Sequence, residues 1–330
     1  MSTYLVTGAA GFIGSHCVDR LLAQGEQVVG LDNLRTGRLE NLSKARLSAR
    51  FEFVEQDVSD EAALEQLFDR HDFVGVLHLA ALVSVPESFE KTGLNYRTNL
   101  AATDLIARQC LRHDCRRIVF ASSAAVYGNE AELPNRETAP PQPMSPYAAA
   151  KLASEDMLLG YAASFDLEVV CFRYFNVYGV RQNPGSPYSG VLSIFTDRFA
   201  SGKPVTVYGD GEQTRDFVSV SDVARANCHA LTSDKVKTGR YNVCTGQAVS
   251  LNQVLAVYQS LYPDAPPISY DSPRTGDIRH SLGDPDQLHR QLCVSAEVGF
   301  EHGLRCLIKG LTPDEQTIGD GQFQRSVINS

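Results

Sequence analysis

The sequence has no excess of positive charge: 30 Lys and Arg stand against 39 Asp and Glu, for a net charge of -9. That balance argues against nucleic acid or an anionic membrane as a partner, and a negatively charged ligand would need basic residues of its own close by. No apolar run reaches the ~18 residues of a spanning helix. The amino terminus passes from Tyr4-Leu5-Val6 directly into a glycine loop, which is not the pattern expected of a secretory leader. Paired cysteines are missing as well. The eight cysteines (17, 110, 115, 171, 228, 244, 293, 306) include no C-x-x-C and no Cys/His cluster, so no metal site is expected. Most lie in apolar stretches such as Val169-Val170-Cys171, the setting of buried reduced thiols, and the expected location is cytoplasmic. No internal repeat is visible. What remains is an ordinary globular composition, 43% apolar and 21% charged, which excludes disorder. At 330 residues the soft expectation is two domains.

Strand and helix patterns alternate through the first half. Residues 3–7 read as a strand, Phe12 to Gln24 as an amphipathic helix and Gln27–Asp32 as a second strand. Short apolar runs follow at 51–54 and 75–79 with a helical pattern at 61–70 between them, then a long helix over 95–112. Arg117–Ala121, a helix over 146–164 and Glu168–Tyr174 continue the alternation. Short β-branched runs separated by helices predict a parallel sheet covered on both faces, a doubly wound α/β domain of Rossmann type. After Asn176 the texture changes. Residues 181–190 (R-Q-N-P-G-S-P-Y-S-G) read as an exposed loop, followed by a helix (191–201), a strand (203–208) and a helix from near Ser221. The expected division is a dinucleotide-binding domain over 1–176, with segments near 216–245 returning to it. A smaller α/β substrate domain over 177–311 and a polar tail over 312–330 complete it.

Gly8, Gly11 and Gly14 (T-G-A-A-G-F-I-G) follow the first strand and open the first helix. Their G-x-x-G-x-x-G spacing can still supply a tight turn, a close backbone approach to a pyrophosphate and tight helix–sheet packing, with the helix amides facing the phosphates. Asp32 ends the second strand 18 residues after Gly14, where a carboxylate accepts both ribose hydroxyls of NAD and repels a 2′-phosphate. Arg35 and Arg38 close by read as solvated loop charges. Asp57-Val58, after the third strand, either meets an adenine edge or serves as a turn or cap acid. Tyr147 and Lys151, spaced Y-A-A-A-K with Ser123 upstream, lie one above the other if helical. An ammonium there lowers the pKa of a phenol, whose ordinary value is about 10. On spacing alone such a pair is as readily a solvated i,i+4 contact.

Taken in order, T-G-A-A-G-F-I-G (7–14), H-L-A-A (78–81), S-S-A-A-V-Y-G (122–128), Y-A-A-A-K (147–151), R-Y-F-N-V-Y-G (173–179), G-D-G-E-Q-T-R-D-F (209–217) and R-T-G-D-I-R-H-S (274–281) resemble the extended short-chain dehydrogenase/reductases, and within them the nucleotide-sugar 4-epimerases. The resemblance runs from about residue 3 to about 290. It implies NAD as a tightly held cofactor, with Phe12, Ile13, Asn33, Leu79, Ala80, Ala81, Asn99 and Tyr174 added to its lining. Tyr147 becomes the proton-transferring phenol, Lys151 its electrostatic support and ribose ligand, and Ser123 the bridge to the sugar 4′-hydroxyl, with Ser122 beside it.

By the same resemblance Asn176, Arg215 and Arg274 bind the substrate diphosphate, and Asp277 binds the uridine ribose. Two guanidiniums suit a pyrophosphate. Ser84 either touches the sugar or stabilises its turn, and Gln182 lies near a 2-acetamido group. Related dehydratases carry an Asp-Glu pair, and uronate decarboxylases a Glu, where this chain has Ala124-Ala125. That favours oxidation and re-reduction at one carbon. The position seven residues after Arg274 gates the sugar pocket in the family. Ser281 stands there in place of a tyrosine, so acetamido sugars should be admitted. The expected partner is a UDP-sugar, and the expected assembly a homodimer through the helices at about 95–112 and 146–164.

Overall fold

A computed structural model describes residues 2–129, 132–183, 190–273 and 278–313. In chain order it runs β1 (Thr3–Thr7), α1 (Phe12–Ala23), β2 (Gln27–Asp32), β3 (Phe51–Glu55), α2 (Glu61–Arg70) and β4 (Phe73–His78). Then come α3 (Val85–Glu90), α4 (Thr92–Tyr96), α5 (Ala102–Arg112), β5 (Arg117–Ser123), α6 (Pro146–Ser164) and β6 (Glu168–Tyr174). β7 (Asn176–Tyr178), α7 (Val191–Ala200), β8 (Val205–Tyr208), β9 (Thr214–Ser219), α8 (Val220–Thr232) and β10 (Gly239–Val243) follow. β11 (Ala248–Ser250), α9 (Leu251–Leu261), β12 (Ile268–Asp271), α10 (Asp286–Leu292) and α11 (Phe300–Ile308) complete the described chain.

Seven strands form one parallel sheet in the order β10-β6-β5-β4-β1-β2-β3. Alternation along each strand sorts the two faces. Val119 and Ala121 join the core under α1 and α8, whereas Ile118 and Phe120 join the core under α2, α5 and α6. Strand order reverses between β1 and β4, and in such sheets ligands bind outside the carboxyl ends of the strands at that reversal. There the Thr7 hydroxyl meets His78 Nδ1 at 2.7 Å. β7 leaves β6 through Phe175 alone and pairs with β9, which carries β11 on its other edge. A third core of Tyr178, Leu192, Phe195, Phe199, Val205 and Tyr258 holds α7, β8 and α9 together.

The single helix predicted over 95–112 is interrupted: Arg97–Ala101 form a π-helical turn between α4 and α5. Its cause is local. The Asn99 amide reaches sideways to Leu82, accepting from its N–H at 2.8 Å and donating to its carbonyl at 3.0 Å. The Asn99 carbonyl then accepts from the Thr103 and Ser154 hydroxyls (2.7 and 2.8 Å), tying α5 to α6. π-bulges of this kind cluster at functional sites. α6 begins at a Ser145 cap, whose hydroxyl accepts from Ala148 N–H at 3.1 Å, with Pro146 in the first turn.

Candidate active site

Gly8 has a φ of +68°, and a Cβ there would lie 2.8 Å from the Ala80 nitrogen, so the turn after β1 presses on the end of β4. At Gly14 a Cβ would lie 2.1 Å from the Gly8 carbonyl oxygen, so only glycine lets α1 start this close to β1. Gly11 caps α1 without a side-chain acceptor, which leaves the amides at Phe12 and Ile13 directed out of the helix mouth. Asp32 sits beside that mouth, its carboxylate accepting from the Ala10 and Leu34 amides at 3.0 and 2.8 Å. Burial pushes this carboxyl above its ordinary value, against those backbone donors. Asp57 takes the turn-acid role, accepting from Ser59 N–H (2.8 Å) and Oγ (2.6 Å) and from Asn33 Nδ2 (2.8 Å). Desolvation acts upward on Asp57, but these donors hold it below the ordinary range. Val58 is buried beneath. A glycine cradle and an open helix amino terminus that donate, with an accepting acid one strand over, are the groups that a dinucleotide requires.

Arg35 is an exposed loop charge with a partner. It forms an ion pair with Glu87 of α3, which also accepts from Lys91 Nζ at 2.8 Å. Because β1 lies between β2 and β4, this pair spans the carboxyl end of β1. On the other side, Leu79 and Ala80 N–H both donate to Thr7 Oγ1 (3.2 and 3.1 Å), fixing the segment that runs on to Ala81. His78 is buried between Thr7 and Thr103. Burial, helped by the charge of Lys151, lowers its pKa to about 3, so the ring is neutral.

Tyr147, Lys151 and Glu155 occupy one face of α6, directed at the end of β5. Ser123 Oγ accepts from Ala125 N–H at 3.2 Å and lies close enough to the Tyr147 phenol to favour its ionised form, and the Tyr147 amide donates to Ser88 Oγ at 3.2 Å. Lys151 Nζ donates to the Ala121 carbonyl at 2.8 Å, lies 4.8 Å above the centre of the Phe120 ring, and stands 6.0 Å from the centre of the Tyr147 ring. Burial lowers the Lys151 pKa to about 7, with Glu155 opposing the shift. The expected depression of the phenol by Lys151 is not found. Burial raises Tyr147 above its ordinary value, and the Ser123 hydroxyl works the other way. The ammonium points at a strand carbonyl rather than at the phenol oxygen.

Four further expectations change. Ser122, placed with the substrate residues, faces away from the cleft, buried and donating to the Glu155 carboxylate. Tyr174, placed with the cofactor residues, directs its hydroxyl to Asn227 Oδ1 of α8 at 2.7 Å, inside the core. Ser84 is a buried cap of α3, its hydroxyl accepting from Glu87 N–H at 2.9 Å, which is the turn-stabilising role. Gln182 is drawn to α7, where Ser193 Oγ donates to its Oε1 at 2.5 Å, and it lines a separate cavity beside Thr196 and Leu307. Asn99 braces the site from behind, as its two bonds to Leu82 require.

Asn176 opens β7 and Arg215 lies on β9, and together they line a cavity of about 230 Å³. Arg215 Nη1 donates to the Thr214 and Arg279 carbonyls at 2.9 and 3.3 Å, which fixes its fork at the cavity wall. Ser281 N–H donates to the Thr214 carbonyl at 3.1 Å, so Ser281 stands beside the strand that carries Arg215. Asp216, fully buried, accepts from Thr245 and Gly246 N–H (2.8 and 3.0 Å) and from Gly283 N–H (3.3 Å), pinning this crossing. Arg274 and Asp277 lie outside the described residues.

Sequence reasoning missed the apolar side of the cavity: Phe195, Leu251 and the outward-facing Thr206 and Tyr208 of β8. The period-two pattern of V-T-V-Y, with Val205 and Val207 buried, carried that signal.

Known proteins agree with this geometry. The family model for the NAD-dependent epimerase/dehydratase family matches residues 4–244. A crystal structure of UDP-glucose 4-epimerase from Thermotoga maritima with UDP-glucose is 34% identical, covers 96% of this chain and 99% of that one, and superposes with a TM-score of 0.88. UDP-N-acetylglucosamine 4-epimerase from Methanobrevibacter ruminantium, in complex with UDP-N-acetylmuramic acid, is 35% identical over 94% and 97% of the two chains, also with a TM-score of 0.88. UDP-glucose 4-epimerase from Thermus thermophilus, complexed with NAD, is 39% identical over 93% and 98%, with a TM-score of 0.85.

Proposed function

This chain belongs to the NAD-dependent epimerase/dehydratase family and is an NAD-dependent UDP-sugar 4-epimerase; we propose that it acts on 2-acetamido hexoses as well as on glucose and galactose. One observation carries the reaction class. Ser123, Tyr147 and Lys151 converge where β5 meets α6, and the two residues after Ser123 are Ala124 and Ala125. With no acid or base at 124 and 125, an elimination at C5′–C6′ lacks its general acid.

NAD, held by the glycine turn and Asp32, supplies a reversible hydride acceptor and, when oxidised, a positive ring charge that favours the phenolate. Tyr147 takes the proton of the 4′-hydroxyl and later gives it back. Ser123 bridges the two oxygens and orients the phenol. Lys151 adds positive charge behind the ring and is placed to reach a ribose hydroxyl. Asn176 and Arg215 anchor the diphosphate, with Arg274 as the second arginine of the clamp. Since the anchor grips the nucleotide, the 4-keto sugar is free to turn over and present its other face. Ser281 supports the wider sugar range: a small hydroxyl beside Thr214 leaves space for an acetamido group that a tyrosine would fill. Pairing of two copies through α5 and α6 belongs to the same proposal.

Purified protein given UDP-N-acetylglucosamine and no added NAD should yield a mixture of UDP-N-acetylglucosamine and UDP-N-acetylgalactosamine, resolved by anion-exchange chromatography. Turnover of UDP-glucose alone would restrict the enzyme to plain hexoses. Stoichiometric consumption of reduced nicotinamide would make it a keto-sugar reductase instead.

A further inference from the structure

Glu155 is fully buried on α6, one turn beyond Lys151 and two beyond Tyr147. Its carboxylate gathers four donors from three strands. The Ser122 hydroxyl of β5 donates to Oε1. Arg173 of β6 donates from Nε to Oε1 at 3.0 Å and from Nη2 to Oε2 at 2.7 Å. Arg240 of β10 donates from Nε to Oε2 at 2.9 Å and pairs also with Asp156. Arg173 is itself buried, stacked 4.8 Å over the Tyr127 ring, and its Nη1 has no hydrogen-bond partner among the described residues.

Such a cluster is costly to bury, and apolar residues of similar volume often hold a core equally well. Its position points to a use. Ser122 pairs with Arg173 across β5 and β6, and the next pair, Ser123 with Tyr174, carries the site hydroxyl. Neighbouring residues on a strand face opposite ways, so the bond that holds Ser122 to Glu155 on the α6 side of the sheet fixes the direction in which Ser123 leaves the strand end. The groups facing Lys151 are few: the Ala121 carbonyl and Phe120 ring from β5, neutral His78 from β4, Tyr147 and Glu155 from α6, with Arg173 and Arg240 behind the carboxylate. Glu155 is the one anion among them.

We propose that Glu155 is a positioning residue of the reaction: its carboxylate locks the end of β5 against α6 so that Ser123 meets the Tyr147 phenol, and it supplies the counter-charge to Lys151. The inference rests on the functional reading above. Glu155→Gln keeps an acceptor for Ser122 and removes the charge. In this variant kcat for UDP-glucose should fall about tenfold or more with KM changed less than about threefold, because alignment rather than nucleotide binding is lost. Without the anion Lys151 deprotonates more easily, so the alkaline limb of the pH–kcat profile should move to lower pH by about one unit.

A second variant, Glu155→Gln with Arg173→Gln, removes both buried charges and carries the test if the single variant does not fold. A merely structural pair predicts that the double variant regains wild-type kcat and pH profile; that result, or an unaltered profile in the single variant, would overturn the proposal. Recovery of stability with kcat still depressed and the limb still displaced supports it. Wild-type protein assayed alongside separates the two readings: absence of turnover there fails the functional reading, whereas normal turnover with an unchanged Glu155→Gln profile fails only this one.

Discussion

Replacing Tyr147 with Phe should reduce kcat for UDP-glucose by at least ~10³-fold while leaving NAD and UDP binding within a factor of about three. The substitution removes one oxygen. That oxygen is the group on which the Ser123 hydroxyl acts and the base assigned to the C4′ hydroxyl in the proposed reaction. A positioned acid–base group contributes ~10²–10⁴ in rate, and each tenfold corresponds to about 1.4 kcal/mol of barrier. Here the upper part of that range applies, because the same phenol serves both the removal and the return of the proton. Binding should survive, since neither the glycine turn nor Asn176 and Arg215 touch the hydroxyl. Steady-state rates together with the ultraviolet spectrum of the retained cofactor would measure both quantities. Activity within tenfold of wild type would take the phenol out of the reaction.

Introducing an aromatic ring at the proposed sugar gate should have the second large effect. Ser281→Tyr should lower kcat/KM for UDP-N-acetylglucosamine by about 100-fold and change that for UDP-glucose by less than about threefold. Ser281 is held to Thr214 through its backbone N–H, so the substitution keeps the strand crossing and changes only what projects from it. A phenol-sized side chain would occupy the space that an acetamido group needs, and overfilling a packed site costs ~1–3 kcal/mol, consistent with that fold-change. Equal losses on both substrates would show that the ring disturbs the strand rather than gating the sugar.

The chain's local spacings were legible because they need only one element to be correct. G-x-x-G-x-x-G is read within one turn, and Y-x-x-x-K within one helix face, and both fall where the elements put them. Parallel strands announced themselves through short apolar runs, whereas their order in the sheet is shown only by the structure. What was not legible depends on which side of an element faces the cleft. Ser122 and Ser123 are neighbours, yet Ser122 is engaged by Glu155 and only Ser123 acts on the Tyr147 phenol. Gln182 looks adjacent to the site in sequence, but Arg181 adopts a φ of +69° and pairs with Asp19 of α1 at 2.6 Å, turning the chain away. The π turn at 97–101 arises from a side-chain bond to Leu82, 17 residues earlier, which no window on the helix itself contains. Lys151 shows the same limit in electrostatics. Its spacing predicts a lowered phenol, whereas burial raises Tyr147 and directs the ammonium to Ala121.

The central claim is that one hydrogen leaves C4′ of the sugar and returns to the same carbon from the other side. UDP-glucose deuterated at C4′, incubated in ordinary water with purified protein and no added NAD, tests it by proton magnetic resonance of the UDP-galactose formed. The account predicts that the deuterium is retained at C4′ through many turnovers, with none appearing in solvent and no solvent hydrogen entering C5′. Replacement of the label by solvent hydrogen at C4′ would contradict it.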